Sequence, residues 1–321
     1  MKILFCIRDD GDMTEPMNIM MLSALARRAG HFVSLWVIER DDPKEVIRKE
    51  KPDIAAFSCI TGSHKFYIEA ARTIKKINPK IKTIFGGPHF TFFPGEVLKS
   101  VGEIDIVCVG EGYDAWPETL SALEAGSPVE LIKNIITPYN AKDVLELEPL
   151  NGLVQLNAGE DKSVSPDRYT ISKSHLRPQR INLDELPLMD RELIYNNTDF
   201  KHRYKRTMMA SYGCPFRCAY CFEHQFSLLY KGLGKPRRWY GVDRFLEELE
   251  YVKKNWDTRF FKFYDDVMIP FPNDIEIAWH EEFCRKYPSK IGLPFHLLTR
   301  CDLVVSLKER KEVDVLSDWK K

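Results

Sequence analysis

Five short, apolar, β-branched runs alternate with stretches of helical spacing through the first 126 residues, and that alternation narrows the possible folds sharply. The runs are 2–7, 32–38, 54–58, 81–85 and 104–109. After the first, residues 14–29 place Met17, Met21, Leu22 and Leu25 at helical spacing and stop at Gly30. Asp42-Pro43-x-Glu45 reads as a helix start, with an acid at the N-cap, proline at the first helical position and a glutamate reaching back. Residues 66–77 predict a helix that ends before Pro79, and 114–125 another that stops at Gly126. Short strands joined by helices in this order form an α/β, doubly wound parallel sheet of flavodoxin-like or Rossmann-like kind. Ligands of such sheets sit beyond the carboxyl ends of the strands.

The rest of the chain divides in two. Residues 131–206 carry Pro138, Pro149, Pro166, Pro178 and Pro187 with little regular period, and read as a connector. Within it, 151–170 suggest a small hairpin and 181–187 a strap leading onward. From 207 a second α/β pattern starts. Strand 207–211 enters a cysteine-rich loop, and 243–255 form an amphipathic helix on Phe245, Leu246, Leu249 and Val252. Strand 260–264 ends at Asp265-Asp266, helix 275–287 follows, and strand 295–298 ends at Thr299-Arg300. A βαβαβ order with polar groups at strand ends is that of a barrel or partial barrel. The expected domains are therefore 1–130, a connector over 131–206, and 207–321 as the first part of an incomplete (β/α) TIM-type barrel.

Composition removes several function classes. The chain has 321 residues, 44% hydrophobic and 29% charged, with 47 Lys+Arg against 47 Asp+Glu. That is a globular composition with no broad electrostatic pull toward nucleic acid or an anionic membrane. No apolar run reaches the length of a membrane span. These features predict a cytoplasmic protein whose eight cysteines are reduced.

Three of those cysteines stand in Ser211-Tyr-Gly-Cys-Pro-Phe-Arg-Cys-Ala-Tyr-Cys221, at C-x3-C-x2-C spacing. Three thiolates on one loop can hold three irons of a cubane iron–sulfur cluster and leave the fourth open to substrate. The same cysteines with His224 could make a Cys3His zinc knot. Zinc sites, however, usually come as two separated ligand pairs, and no second pair is present.

The run resembles the signature of the radical S-adenosylmethionine (SAM) enzymes, matched at Cys214, Cys218, Tyr220 and Cys221. The resemblance implies a [4Fe-4S] cluster whose unique iron chelates SAM and whose electron cleaves it to a 5′-deoxyadenosyl radical. Such a cluster is oxygen-sensitive, so an anaerobic or low-oxygen setting is expected. Earlier segments extend the likeness to radical SAM proteins with a B12-binding domain. They are Lys51-Pro-Asp-Ile-Ala-Ala-Phe-Ser58, Phe85-Gly-Gly-Pro-His-Phe-Thr-Phe-Phe-Pro94 and Asp105-Ile-Val-Cys-Val-Gly-Glu-Gly112. By this resemblance the first domain binds cobalamin, with Ser58, Thr61, Gly86, Gly87, Gly110 and Glu111 lining the nucleotide tail. Tyr220 packs near adenine and Arg300 pairs with the SAM carboxylate or is a plain surface arginine. Asp265 and Asp266 face SAM or substrate as the catalytic acids, or cap a helix. No histidine follows the first strand, so cobalt would have no histidine ligand from below. A dinucleotide fold would want G-x-G-x-x-G there, and the loop is Arg8-Asp-Asp-Gly-Asp-Met13. A receiver domain would use the pair Asp9-Asp10, but Ser58-Cys59 and Val109-Gly110 stand where it needs an aspartate and a lysine.

The implied reaction is methyl transfer from cobalamin to an unactivated carbon of a small-molecule or natural-product substrate, with a flavodoxin or ferredoxin as electron donor. Relatives also perform cyclisation and rearrangement. One difficulty stands against catalysis by this chain alone. Residues 207–321 are under half the roughly 250 that a full eightfold barrel takes, and a half barrel exposes sheet edges. The expectation is a truncated chain, one half of a split enzyme completed by a second chain, or a non-catalytic corrinoid- and cluster-binding module.

Overall fold

A computed structural model describes residues 1–8, 14–148, 168–235 and 237–309. The chain forms two compact units, Met1–Asp12 with Leu22–Arg177 and Met13–Met21 with Pro178–Lys321. Helix α1 (Met17–Arg28) contributes to both.

The first unit is built on a six-stranded sheet. Its strands are β1 (Lys2–Ile7), β2 (Phe32–Val37), β3 (Ile54–Ser58), β4 (Lys82–Gly86), β5 (Ile106–Cys108) and β6 (Ile135–Ile136), in the order β2-β1-β3-β4-β5-β6. The first five run parallel and β6 antiparallel. The chain steps outward from β1 to β2, then returns to the other side of β1 for β3. This reversal in strand order opens a crevice at the carboxyl ends. Strand β1 is buried from Ile3 to Ile7, as a central strand covered on both faces must be.

Between the strands lie α2 (Pro43–Glu50), α3 (His64–Ile77), the short α4 (Pro88–Phe92) and α5 (Glu96–Lys99), and α6 (Ala115–Glu124). The Asp42 side chain accepts from Glu45 N, and Pro43 opens α2, as the sequence predicts. Helix α3 turns Tyr67, Ala70, Ala71 and Ile74 inward. Phe57 and Phe85 stack at 4.5 Å in the core, each contributing up to about 3 kcal/mol by burial. Helix α7 (Ala141–Val144) precedes a hairpin of β7 (Leu145–Glu148) with β8 (Arg168–Ile171). Most of the hairpin expected over 151–170 lies outside the described residues.

In the second unit α8 (Arg191–Tyr195) precedes a parallel sheet of β9 (Lys205–Met208), β12 (Phe260–Phe263) and β13 (Phe295–His296), ordered β13-β12-β9. Between β9 and β12 come β10 (Ser211–Tyr212), α9 (Phe222–Leu229), β11 (Arg238–Trp239) and α10 (Val242–Asn255). Helix α11 (Asp274–Lys290) joins β12 to β13, and α12 (Cys301–Glu309) follows. The strand expected over 207–211 is thus two elements. Strand β9 ends at Met208, and β10 pairs antiparallel with β11 instead. The break has a local cause: the N–H groups of Ala210 and Ser211 donate to the Asp265 carboxylate rather than to a neighbouring strand.

A buried ionic network also belongs to this unit. Arg191 donates to Glu15 Oε2 and Tyr195 Oη at 2.8 Å each, and to the Thr207 carbonyl at 2.9 Å. Its guanidinium is wholly enclosed and pairs with the buried Glu15 carboxylate, while Glu248, 4.0 Å away, is shared with Arg244. Among the described residues, no helix is long and apolar enough to cross a membrane.

Candidate functional site

The cysteine loop hangs from β10. Gly213 takes φ +87, in the left-handed region where a side chain is strained, and so turns the chain into Cys214. Cys214 is 9% exposed and packs in an apolar cluster with Val267, Ile269, Leu303 and Leu307, flanked by Phe216 and Phe271. Burial raises the pKa of its thiol; a hydrogen bond from Phe216 N lowers it, Asp266 and Glu223 raise it, and Arg237 lowers it. Cys218 and Cys221 are half-buried, and a turn closes between them as Cys221 N donates to Cys218 O at 3.0 Å. Cys221 sits directly before α9, so its sulfur lies at a helix N-terminus, where negative charge is favoured.

Two arginines flank the loop. Arg237 is nearly enclosed. It stacks over Trp239 at 4.3 Å and Phe271 at 5.1 Å, pairs with Glu276 at 2.8 Å, and donates to the carbonyls of Val267 and Ile269. Arg300 lies 3.9 Å over the Phe216 ring and directs Nη1 to Cys218 Sγ at 3.8 Å. Its other edge meets Asp302, Nε at 3.1 Å and Nη2 at 2.8 Å.

The acid pair splits. Asp265 is fully buried and receives Ala210 N at 3.0 Å, Ser211 N at 2.6 Å and Ser211 Oγ at 2.5 Å. Burial pushes its carboxyl up to about 6, against the pull of those donors. It neither faces outward nor caps a helix; it braces the entry to the loop. Asp266 points to solvent, with its carboxyl raised by the protein around it and lowered by Arg237. Tyr220 is 92% exposed.

All three loop cysteines are free thiols. Among the described residues no three His, Cys, Asp or Glu side chains gather as a cage for one metal ion. A cubane spreads its thiolates over separate irons, so its ligands need not meet at one point. One buried and two half-buried thiols, with cationic guanidiniums close by, fit an anionic cluster of that kind by donor chemistry.

The second candidate site is the carboxyl edge of the first unit's sheet. Ser58 ends β3 and Gly86 ends β4. Gly87 has φ +88, and a Cβ there would lie 2.7 Å from Cys59 N and O and 2.8 Å from Ser58 Oγ. Only glycine fits. Gly110, at φ +69, donates its N–H to Thr91 Oγ1 at 3.0 Å, and that hydroxyl donates to Gly87 O. Asn134 Nδ2 holds the Glu111 carbonyl at 3.3 Å. The loops after β4 and β5 are thereby tied together.

Beside them His89, 4% exposed, hydrogen-bonds Thr61 through Nδ1 at 3.1 Å and stacks on His64 at 3.8 Å and Phe93 at 5.1 Å. Its Nε2 is buried with no partner. Burial, with the His64 charge second, pushes its pKa down to about 4. This edge offers close backbone approach and a buried, unsatisfied imidazole nitrogen, and so fits a large polar ligand such as a corrinoid's tail. The pair Asp9-Asp10 lies outside the described residues.

The structure brings Ser58, Gly86 and Gly87 together, and Gly110 and Glu111 beside them. It separates Asp265 from Asp266. Sequence reasoning missed Arg237 and the His64–His89 stack; nothing in the local sequence marks Arg237.

Residues 6–120 match the B12 binding domain family. An uncharacterized methyltransferase, PH0819, of Pyrococcus horikoshii is 28% identical over 232 residues, covering 70% of this chain and 42% of its own length. The hopanoid C-3 methylase of Methylococcus capsulatus is 27% identical over 315 residues, 96% of this chain and 51% of its own. The cobalamin-dependent radical SAM methyltransferase TokK of Streptomyces tokunonensis is 22% identical over 231 residues, 71% of this chain and 29% of its own. The chain thus spans about half or less of the length of these relatives. By class this is a mixed α/β protein that carries a B12 binding domain. With the relatives' names added, it is consistent with a B12-binding radical SAM protein.

Proposed function

We propose that this chain is the cofactor-binding portion of a cobalamin-dependent radical SAM enzyme that methylates an unactivated carbon of a small-molecule or natural-product substrate. One observation carries the reading: a B12 binding domain and a loop of three free thiols at C-x3-C-x2-C spacing stand in one chain. Cys214, Cys218 and Cys221 would hold the [4Fe-4S] cluster, and the first domain, 1–130, the cobalamin. When bound, these cofactors and SAM supply the difficult chemistry, a reductively generated 5′-deoxyadenosyl radical and a transferable methyl group.

The chain supplies placement. Gly213 turns the loop, Asp265 fixes its entry, and the apolar cluster around Cys214 keeps water from that side. Asp266 is the acid of the pair that faces outward, and the exposed Tyr220 ring offers a stacking face for adenine. Arg300 stands at the loop's rim, over Phe216 and beside Cys218. Ser58, Thr61, Gly86, Gly87, Gly110 and Glu111 are assigned to the nucleotide tail. The three parallel strands of the second unit are read as the first part of a partial barrel over 207–321, reached through 131–206. Its partners are then a flavodoxin or ferredoxin and, where a second chain completes the barrel, that chain. The cytoplasm is the compartment this chemistry suits.

The test is anaerobic. Reconstituted protein is expected to hold iron and sulfide, to bind cobalamin by visible absorbance, and to convert SAM to 5′-deoxyadenosine under dithionite. Cys218→Ala should lose the iron and the cleavage while keeping the cobalamin. Zinc filling the loop, or iron without SAM cleavage, would sink the reading.

A further inference from the structure

The guanidinium of Arg300 is held on three sides, and only one of its contacts is to a proposed cluster ligand. Its face lies on Phe216 at 3.9 Å, its Nε and Nη2 are taken by Asp302, and Nη1 aims at Cys218 Sγ from 3.8 Å. A planar fork fixed by a ring and a carboxylate loses little freedom in directing its remaining N–H. The contact is within reach for sulfur, whose larger radius lengthens such bonds. Phe216 lies two residues before Cys218, so the loop itself carries the platform that seats the arginine.

We infer that Arg300 is a positioning residue acting on the cluster through Cys218, rather than a clamp for a SAM carboxylate; this rests on the cluster reading above. Reduction adds negative charge to a cluster and its thiolates. An N–H donor and a cation at one sulfur stabilise the reduced form more than the oxidised one, which raises the reduction potential. Arg300 would therefore make the cluster easier to reduce by a weak donor. Arg237, with no hydrogen bond to a loop sulfur among the described contacts, supplies only background charge.

The experiment is an EPR-monitored redox titration of the anaerobically reconstituted 321-residue chain with no SAM present. Arg300→Met is expected to lower the midpoint so that the ratio of reduced to oxidised cluster at a fixed potential falls about tenfold, which is about 59 mV for one electron. Arg300→Lys keeps the charge at this part-exposed position and guards against a folding artefact. It should load the cluster and titrate between the other two. SAM affinity of the loaded variants should stay within about threefold of the wild type. A wild-type midpoint in both variants overturns the inference, as does a collapse of SAM binding at unchanged potential, which would make Arg300 the carboxylate clamp. Wild-type protein that takes up no iron fails differently: it removes the cluster reading itself, and this inference with it.

Discussion

Asp265 sets burial directly against hydrogen bonding. Three donors from Ala210 and Ser211 favour its charged form, and complete enclosure favours the neutral one. Burial prevails, and the carboxyl rises from 3.8 to about 6. A rise of about two units is worth on the order of 3 kcal/mol. The folded state holds this proton more tightly than the unfolded chain does. The contribution is therefore fully present below the unfolded value and is lost as pH rises through about 6. Asp265→Asn cannot ionise and serves as a flat reference. It keeps one acceptor oxygen but turns an amide NH2 toward backbone donors, a cost of roughly 1–3 kcal/mol at every pH. The wild type's advantage over the variant should be largest near pH 4 and shrink by on the order of 3 kcal/mol by pH 7. Urea midpoints taken across that range measure it. An advantage that stays level or grows with pH would refute the reasoning, for it would mean that the three donors keep the carboxylate ionised.

Arg191→Met leaves Glu15 a buried charge without its cation and should cost about 3–5 kcal/mol in urea unfolding; adding Glu15→Gln should recover part of that loss. Gly87→Ala forces a Cβ to 2.7 Å from the Cys59 backbone at φ +88. About 2–4 kcal/mol of combined strain and crowding is expected, read as a lowered Tm together with weakened cobalamin binding. His89 runs opposite in sign to Asp265. Its folded pKa is depressed from 6.5 to about 4, so its contribution is present above the unfolded value and lost as pH falls toward 4. His89→Gln should flatten that acid limb of the unfolding curve, which spans on the order of 3 kcal/mol.

The first unit was legible because its signals are local. Each strand is a short β-branched run, and the cap at Asp42 and the stop at Gly30 are single-residue events that depend on no distant partner. Strand order β2-β1-β3 was not legible in this way, because right-handed crossovers fix the face each helix covers and not the order of the strands. The second unit was harder. A continuous apolar reading through 207–211 gave no hint that Asp265, over fifty residues later, would capture the N–H groups of Ala210 and Ser211 and end β9 early. The cysteine spacing is readable in one line of sequence. Arg300 is marked by its place at the end of a predicted strand, but Arg237 is not, because it reaches the loop from just before β11 and carries no local mark.

The acid pair shows where more could have been read. Side chains alternate across a strand, so two adjacent acids at its end cannot share one environment. Phe261, Phe263 and Asp265 form a single row, each fully buried. Asp265 simply continues the inward face of β12 by one more step, and Asp266 falls on the other. Strand period alone therefore assigns the first acid to the interior, where it can persist only if donors meet it, and the second to the open side. The nearest unpaired donors are those that the chain releases on leaving β9 for the cysteine loop. A buried carboxylate at that place and a loop that departs from the sheet are thus two ends of one requirement: the acid needs the freed N–H groups, and the loop needs an acceptor in place of the strand it abandons.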